Sequence, residues 1–565
     1  MSTRRAQLAQ PLRLSDKHVH AATTVETAGD RRADHVGHPN VAFFPLDRSA
    51  DPFRELSPWD REQFHAFGLG ASVQPRFSTI SEAIAYQART QPHAIAATYL
   101  GKSLTYAQLD AAADRLATRL YDSGVRRGDA VCLFLKRSLP MLVGIVATLR
   151  LGAAYVPQHV GVAPPDMLKH ISATVNAKVI LTMRELSANL PADAQRQIIC
   201  IEDVMAEASS TPLPDDRKDV AHPDDVAIIL FTSGTTGVPN GVRVTHRNLC
   251  NILQTSPGDL GMRPGVKVGQ VLSIAFDMAA WETLGALSNG ASLVIRDKSI
   301  QDTAEKVDIL IATPSILASL DIERCRHIES VAVAGEPCPR PLADAWSSFC
   351  HFYNSCGPTE TTIVNTMEKH HPAKPVLSIG RPTPNNTVYI LDDDLNALPM
   401  GATGEMWAGG DCVTAGYLDN SSLTTERYRP DPFRPGHMMF RTRDLGRWTI
   451  DGELEHLGRT DDVVKIRGFR VELQAVTSVL ESAGCKQAVT LKLNDRHLVS
   501  FATPASIDVN GALHSVATAL PYYYVPVMLL PLDALPHTSR GKLDKRLLLA
   551  MANKHLQAND ARVAG

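Results

Sequence analysis

The 565-residue chain carries no strong charge of either sign, with 57 Lys and Arg against 60 Asp and Glu for a formal net charge of −3. Without a basic excess there is no field to gather nucleic acid or an anionic membrane, so neither is expected as a partner. Paired cysteines are also lacking. The nine present are scattered, without zinc or redox spacing, and a chain this long needs no disulfide staples, so a reducing cytoplasm is the expected setting. Nor is there an apolar run of the ~18 residues that a membrane span requires, since the stretch from Leu139 to Val156 is broken by Arg150. The first residues lack the apolar core of a signal peptide, and export is not expected.

What is present is a globular composition, 44% hydrophobic and 21% charged, in a chain long enough for one large and one small domain. Met1 to about Asn40 is polar and free of aromatics, too poor in apolar surface to offset the entropy of ordering, and order is expected from about Val41 to Leu46. A helix is expected over Leu56 to Phe67. Beyond Ser78, short apolar runs alternate with helical stretches, the pattern of an α/β fold with helix-covered sheets. Thr105 and Gln108 form a capping-box pair, Leu104 can staple to Leu109, and Leu109, Ala113, Leu116 and Leu120 give the helix one apolar face. Runs at Ala130 to Leu135, Val179 to Thr182, Val226 to Phe231, Leu293 to Ile295, Ile309 to Ala312 and Val331 to Val333 read as buried strands. The character changes after Gly452. The expected division is a tail and linker over 1–55, a large domain over 56–457, a small mobile α+β domain over 458–553 and a tail over 554–565.

Phe231 to Val242 reads FTSGTTGVPNGV, an apolar strand running into hydroxyl residues spaced by glycines. Ser233, Thr235 and Thr236 supply donors, and Gly234 and Gly237 let backbone N–H groups close on an anion, which is how proteins hold phosphate. No Lys-Ser or Lys-Thr pair follows, so this is not a Walker loop.

With this loop, the chain resembles the adenylate-forming superfamily, and within it the adenylation domains of nonribosomal peptide synthetases. The likeness runs from about Leu56 to Leu548. It includes LTYAQL from Leu104, LGAAYVP from Leu151, FDMAAWE from Phe276, NSCGPTE from Asn354, GEMWAGG from Gly404 and FRTRDLGRW from Phe440. GRTDDVVKIRGFRVEL from Gly458, LPYYYVP from Leu520 and SRGKLDK from Ser539 complete it, in the family's order.

The resemblance implies attack of a substrate carboxylate on the α-phosphorus of ATP, with loss of pyrophosphate, a reaction that depends on alignment and positive charge. Lys542 matches the family's catalytic lysine and Glu360 a catalytic, magnesium-associated carboxylate, so ATP and Mg2+ are the expected cofactors. The ATP-binding positions implied are Thr232, Ser233, Gly234, Thr235, Thr236, Gly237, Gly357, Thr359, Asp444 for the ribose hydroxyls, and Arg459. Asp461 matches the hinge about which the small domain turns, bringing Lys465 to Gly468 to the site for a second step in which a thiol takes the acyl group. Three positions depart from the family pattern. Asn240 stands for the loop's usual lysine and contributes no charge, Arg443 for the glycine before the ribose-binding aspartate, and Cys356 for an aromatic residue.

Asp277 matches the aspartate that pairs with a substrate α-ammonium in amino-acid-activating members. Motif alignment puts Met278, Trp281, Ile311, Ala332, Ala334, Ser355, Ile363 and Val364 around the substrate side chain; these neutral walls suit a neutral, mostly apolar amino acid. The expected thiol is the phosphopantetheine of a carrier protein, provided in trans or outside this sequence. Two rival readings are an acid–thiol ligase using coenzyme A and a nucleotide-binding interaction module that has lost catalysis, the latter motivated by Asn240, Arg443 and Cys356.

Overall fold

The local sequence signals set the ends of elements. In the computed structural model, which describes residues 51–190, 196–207, 213–232, 239–536 and 543–563, Thr105 Oγ1 accepts the Gln108 N–H at 3.2 Å. The Gln108 side chain returns the bond from the Thr105 N–H at 2.9 Å, fixing the start of the helix Tyr106–Asp122. Leu109, Ala113, Leu116 and Leu120 are buried along it, and Leu104 packs against the same core. The entry helix is Pro58–Gly68 and starts two residues later than expected. Ser57 Oγ accepts the Asp60 N–H, and Pro58 takes the first turn, where its missing N–H costs nothing. The expected onset of order at Val41 to Leu46, the loop residues Ser233 to Gly237 and Lys542 lie outside the described residues.

All six apolar runs are strands: Ala130–Leu135, Val179–Thr182, Val226–Thr232, Ser292–Ile295, Ile309–Ala312 and Ser330–Val333. Among the described residues they fall into two large sheets. One runs Gln197–Cys200, Val179–Thr182, Ala130–Leu135, Ala154–His159, Val226–Thr232, Asn240–Thr245, parallel except for the last pair. The other has six contiguous parallel strands, from His351–Cys356 through Ser330–Val333, Ile309–Ala312, Lys267–Gln270 and Ser292–Ile295 to Ile95–Tyr99, with antiparallel strands at both edges. One continuous apolar core joins both sheets to the helices Tyr106–Asp122, Leu139–Arg150 and Asp277–Ser288. Burial on both faces explains why these strands read as unbroken apolar runs instead of alternating ones.

An antiparallel sheet built on Asn386–Leu391, Gly404–Gly410 and Met438–Trp448 follows. Its edge strand Leu454–Arg459 pairs Arg459 with Asp444, and the next strand begins at Val463. From there the chain forms the hairpin Val463–Ile466 and Phe469–Glu472, the helices Leu473–Ser482 and Val509–Ala519, and a three-stranded sheet, with apolar clusters of their own.

Candidate active site

Parallel sheets gather ligand-binding loops at the carboxyl ends of their strands, and three such ends meet here. Thr232 ends its strand, His351–Cys356 runs into Gly357 to Glu360, and Lys267–Gln270 leads through a loop to Phe276 and Asp277. Gly357 is required by close approach: a Cβ there would stand 2.6 Å from Val364 Cα.

Asp277 occupies the first turn of Asp277–Ser288, where a carboxylate suits the helix dipole. One oxygen accepts the Met278 N–H at 2.7 Å and the other the Thr359 hydroxyl at 2.6 Å, so two strand-end loops share it. Burial pushes its carboxyl above the ordinary value, against the Thr359 hydrogen bond and the Lys465 charge. Among the described residues it makes no ion pair. Asp277, Thr359, Thr232 and Phe276 line a cavity of about 300 Å3 whose far wall is Arg470, Tyr523 and Tyr524 of the carboxy-terminal body.

Of these, Arg470 arrives on a tight hairpin, and the two tyrosines on the short helix Tyr522–Tyr524. Arg467 and Gly468 have φ of 52° and 83°, the two left-handed positions of a type I′ turn, which sets Lys465 directly opposite Arg470. Like charges opposed on one face repel unless anions meet them. Arg470 Nη1 donates to both oxygens of Glu360 at 3.2 and 3.1 Å, and Tyr417 donates to one of them at 2.7 Å. Burial pushes Glu360 up, but the Arg470 and Arg427 charges and the Tyr417 hydrogen bond outweigh it and hold its carboxyl below the usual value. Lys465 faces Asp277, Cys356 and Asp444, and burial lowers its pKa. Gly468 leaves no room for a side chain where it is seated, since a Cβ on it would lie 2.7 Å from Thr313 Cγ2. Phe469 stacks on Tyr523 with ring centres 4.1 Å apart and meets Phe276 at 4.9 Å.

Asp444, nearly buried, receives Arg459 Nη1 at 2.6 Å and His456 Nε2 at 3.3 Å. Burial raises its pKa, but His456 and Arg459 hold it below the ordinary value. Arg459 also donates from Nε and Nη2 to the two oxygens of Asp461 at 2.8 and 2.9 Å.

The sequence model of the AMP-binding enzyme family matches residues 84–418, more than half the chain. The chain belongs to that family. An adenylate-forming reductase of Coprinopsis cinerea is 43% identical over 89% of this chain and 49% of the relative. A phosphinothricin tripeptide synthetase of Streptomyces viridochromogenes is 34% identical over 93% of this chain and 50% of its own. The chain thus spans about half the length of these curated relatives. A holo nonribosomal peptide synthetase protein containing adenylation and PCP domains, bound to a vinylsulfonamide inhibitor, superposes with a TM-score of 0.75 at 23% identity over 84% of each chain. This AMP-binding enzyme is an adenylation domain of the adenylate-forming superfamily, of the nonribosomal peptide synthetase type.

In the adenylation domain, the eight residues aligned with a side-chain pocket are not on the cavity wall. Met278, Trp281, Ile311, Ala332, Ala334, Ser355, Ile363 and Val364 are at most 7% exposed, and all but Ser355 belong to the main apolar core. The Trp281 indole N–H is already bonded to the Gly258 carbonyl at 2.7 Å. Magnesium does not fit Glu360 as it stands, because Arg470 and Tyr417 occupy its oxygens. Among the described residues no group of three or more His, Cys, Asp or Glu could hold a metal, and no helix is long and apolar enough to cross a membrane. Sequence reasoning did not single out Arg470; the signal was its place across a two-residue turn from Lys465, which puts both cations on one face of the hairpin.

Proposed function

We propose that this enzyme activates an amino acid with a neutral, mostly apolar side chain as its aminoacyl-adenylate, releasing pyrophosphate, and then passes the acyl group to the phosphopantetheine thiol of a carrier protein. The observation that carries the amino-acid assignment is Asp277, a buried carboxylate on the cavity wall that two neutral donors hold and that makes no salt bridge among the described residues, although the Lys465 charge acts on it. An α-ammonium is the partner such a group lacks. Asp444 serves the ribose, Thr232, Gly357 and Thr359 the phosphates, and Lys542 the substrate carboxylate. For the second step, the hairpin that carries Lys465 and Arg470 brings these two cations to the nucleotide position. The cavity between Phe276 and Tyr523 offers an apolar passage for a pantetheine arm, whose thiol attacks the acyl carbon and displaces AMP.

A second reading is favoured by the 43% identity to an adenylate-forming reductase: the activation step is kept, and the carrier-bound thioester afterwards takes a hydride from a two-electron donor and a proton from water, its C–S bond breaking to give an aldehyde and the free thiol. Pyrophosphate exchange across the common amino acids and their des-amino analogues, followed by acyl transfer to carrier-bound phosphopantetheine and to coenzyme A, tests the first reading, and assay of the released product for aldehyde tests the second. Exchange with an amino acid and transfer to the carrier are expected. Exchange only with des-amino acids would remove the ammonium contact, and transfer to coenzyme A alone would replace the carrier.

A further inference from the structure

Arg443 departs from the superfamily's glycine and keeps a backbone suited to that glycine. Its φ is 61°, within the strand Met438–Trp448, a conformation that costs an L side chain energy glycine escapes. Such strain persists only where surrounding interactions over-determine it. The Arg443 carbonyl accepts the Thr460 N–H at 2.9 Å and the Thr460 hydroxyl at 3.2 Å, directly beside the hinge. Its guanidinium pairs through Nη2 with Glu426 on the helix Ser421–Arg427, while Nη1 lies 3.9 Å from Asp461 Oδ2. Asp461 is held in turn by Arg459, and Arg459 reaches Asp444. Charge therefore alternates along an unbroken row: Glu426, Arg443, Asp461, Arg459, Asp444.

We propose that Arg443 is a positioning residue for the transfer step. It ties the hinge carboxylate of Asp461 to Glu426 of the large body and holds the hinge in the setting that seats Lys465 to Gly468 against the nucleotide site. A residue that only balanced Glu426 would have no need of a left-handed backbone over the hinge. The inference rests on the two-step reading above.

Three variants test it. Arg443→Gly relaxes the backbone and removes the cation, Glu426→Gln removes the anchor with the backbone untouched, and Arg443→Lys keeps the charge. Single-turnover transfer from preformed adenylate to carrier phosphopantetheine is expected to fall by about fivefold in the first two, the upper end for a half-exposed ion pair, and by less in the third. Pyrophosphate exchange should hold in all three. Amide hydrogen exchange over residues 458–472, measured without substrate, should quicken in Arg443→Gly and Glu426→Gln. Equal loss of both half-reactions overturns the proposal, as does unchanged transfer beside a loosened hinge, or an unchanged hinge. A wild-type chain silent in every exchange and transfer assay sinks the functional reading instead, and the hydrogen exchange still decides the hinge.

Discussion

Asp277 carries the substrate assignment on a single carboxylate, so its removal must discriminate between substrates and not merely slow them. Asp277→Asn keeps an acceptor for the Met278 N–H but loses the charge that an ammonium needs. Its effect on kcat/KM for amino acids should be about tenfold or more, the scale of one charge-assisted hydrogen bond, with des-amino analogues little changed. Equal losses would count against the ammonium contact. Glu282 is a different kind of carboxylate. Fully buried on the same helix, it accepts the Val271 and Leu272 N–H groups and a hydrogen bond from the Gln270 side chain, and burial pushes it up to about 8. Because the folded state holds this proton more tightly than the unfolded chain, Glu282 favours folding below its ordinary value of 4.5, and that stability is lost as pH rises towards about 8. Glu282→Gln should flatten the fall in denaturation midpoint across that window; an unchanged slope would show that another group titrates there.

Caps and short apolar runs made the elements legible. The Thr105 pair and the six buried strands depend on neighbours within a few residues, and Thr105→Ala should cost about 1 kcal/mol in urea unfolding through the loss of its cap. What the sequence could not show was which side chains meet across distant elements. Asp277 and Thr359 are 82 residues apart and share a hydrogen bond because two loops end side by side. The aligned pocket residues are apolar at positions where lining a pocket and filling a core demand the same side chains, so pattern alone could not separate those roles. Glu360 read as a metal carboxylate because its motif is local. The cation that meets it in this structure, Arg470, comes from 110 residues further on, brought by a contact that no periodicity encodes.

At the scale of the whole molecule, the hairpin at Lys465 to Gly468 is seated on the large body, and that arrangement belongs to one of two proposed half-reactions. Gly468→Ala, with its Cβ 2.7 Å from Thr313 Cγ2, should impede the seating and slow thiol transfer while adenylation continues. Lys542→Ala should do the opposite, abolishing pyrophosphate exchange and largely sparing transfer from preformed adenylate. If either variant lowered both steps equally, the division of labour between the two faces of the small body would not stand.

The cavity near Asp277 has one further consequence. Its walls come from strand-end loops such as those of Thr232 and Thr359, and from Arg470, Tyr523 and Tyr524 more than a hundred residues further on, so the space is made by the meeting of distant elements and not carved into any one of them. Whatever fills it must act as a rivet, gaining contacts from both sides at once and resisting their parting. A molecule shaped to that gap would therefore arrest the enzyme in mid-cycle without touching Asp444, the residue proposed to hold the nucleotide's sugar.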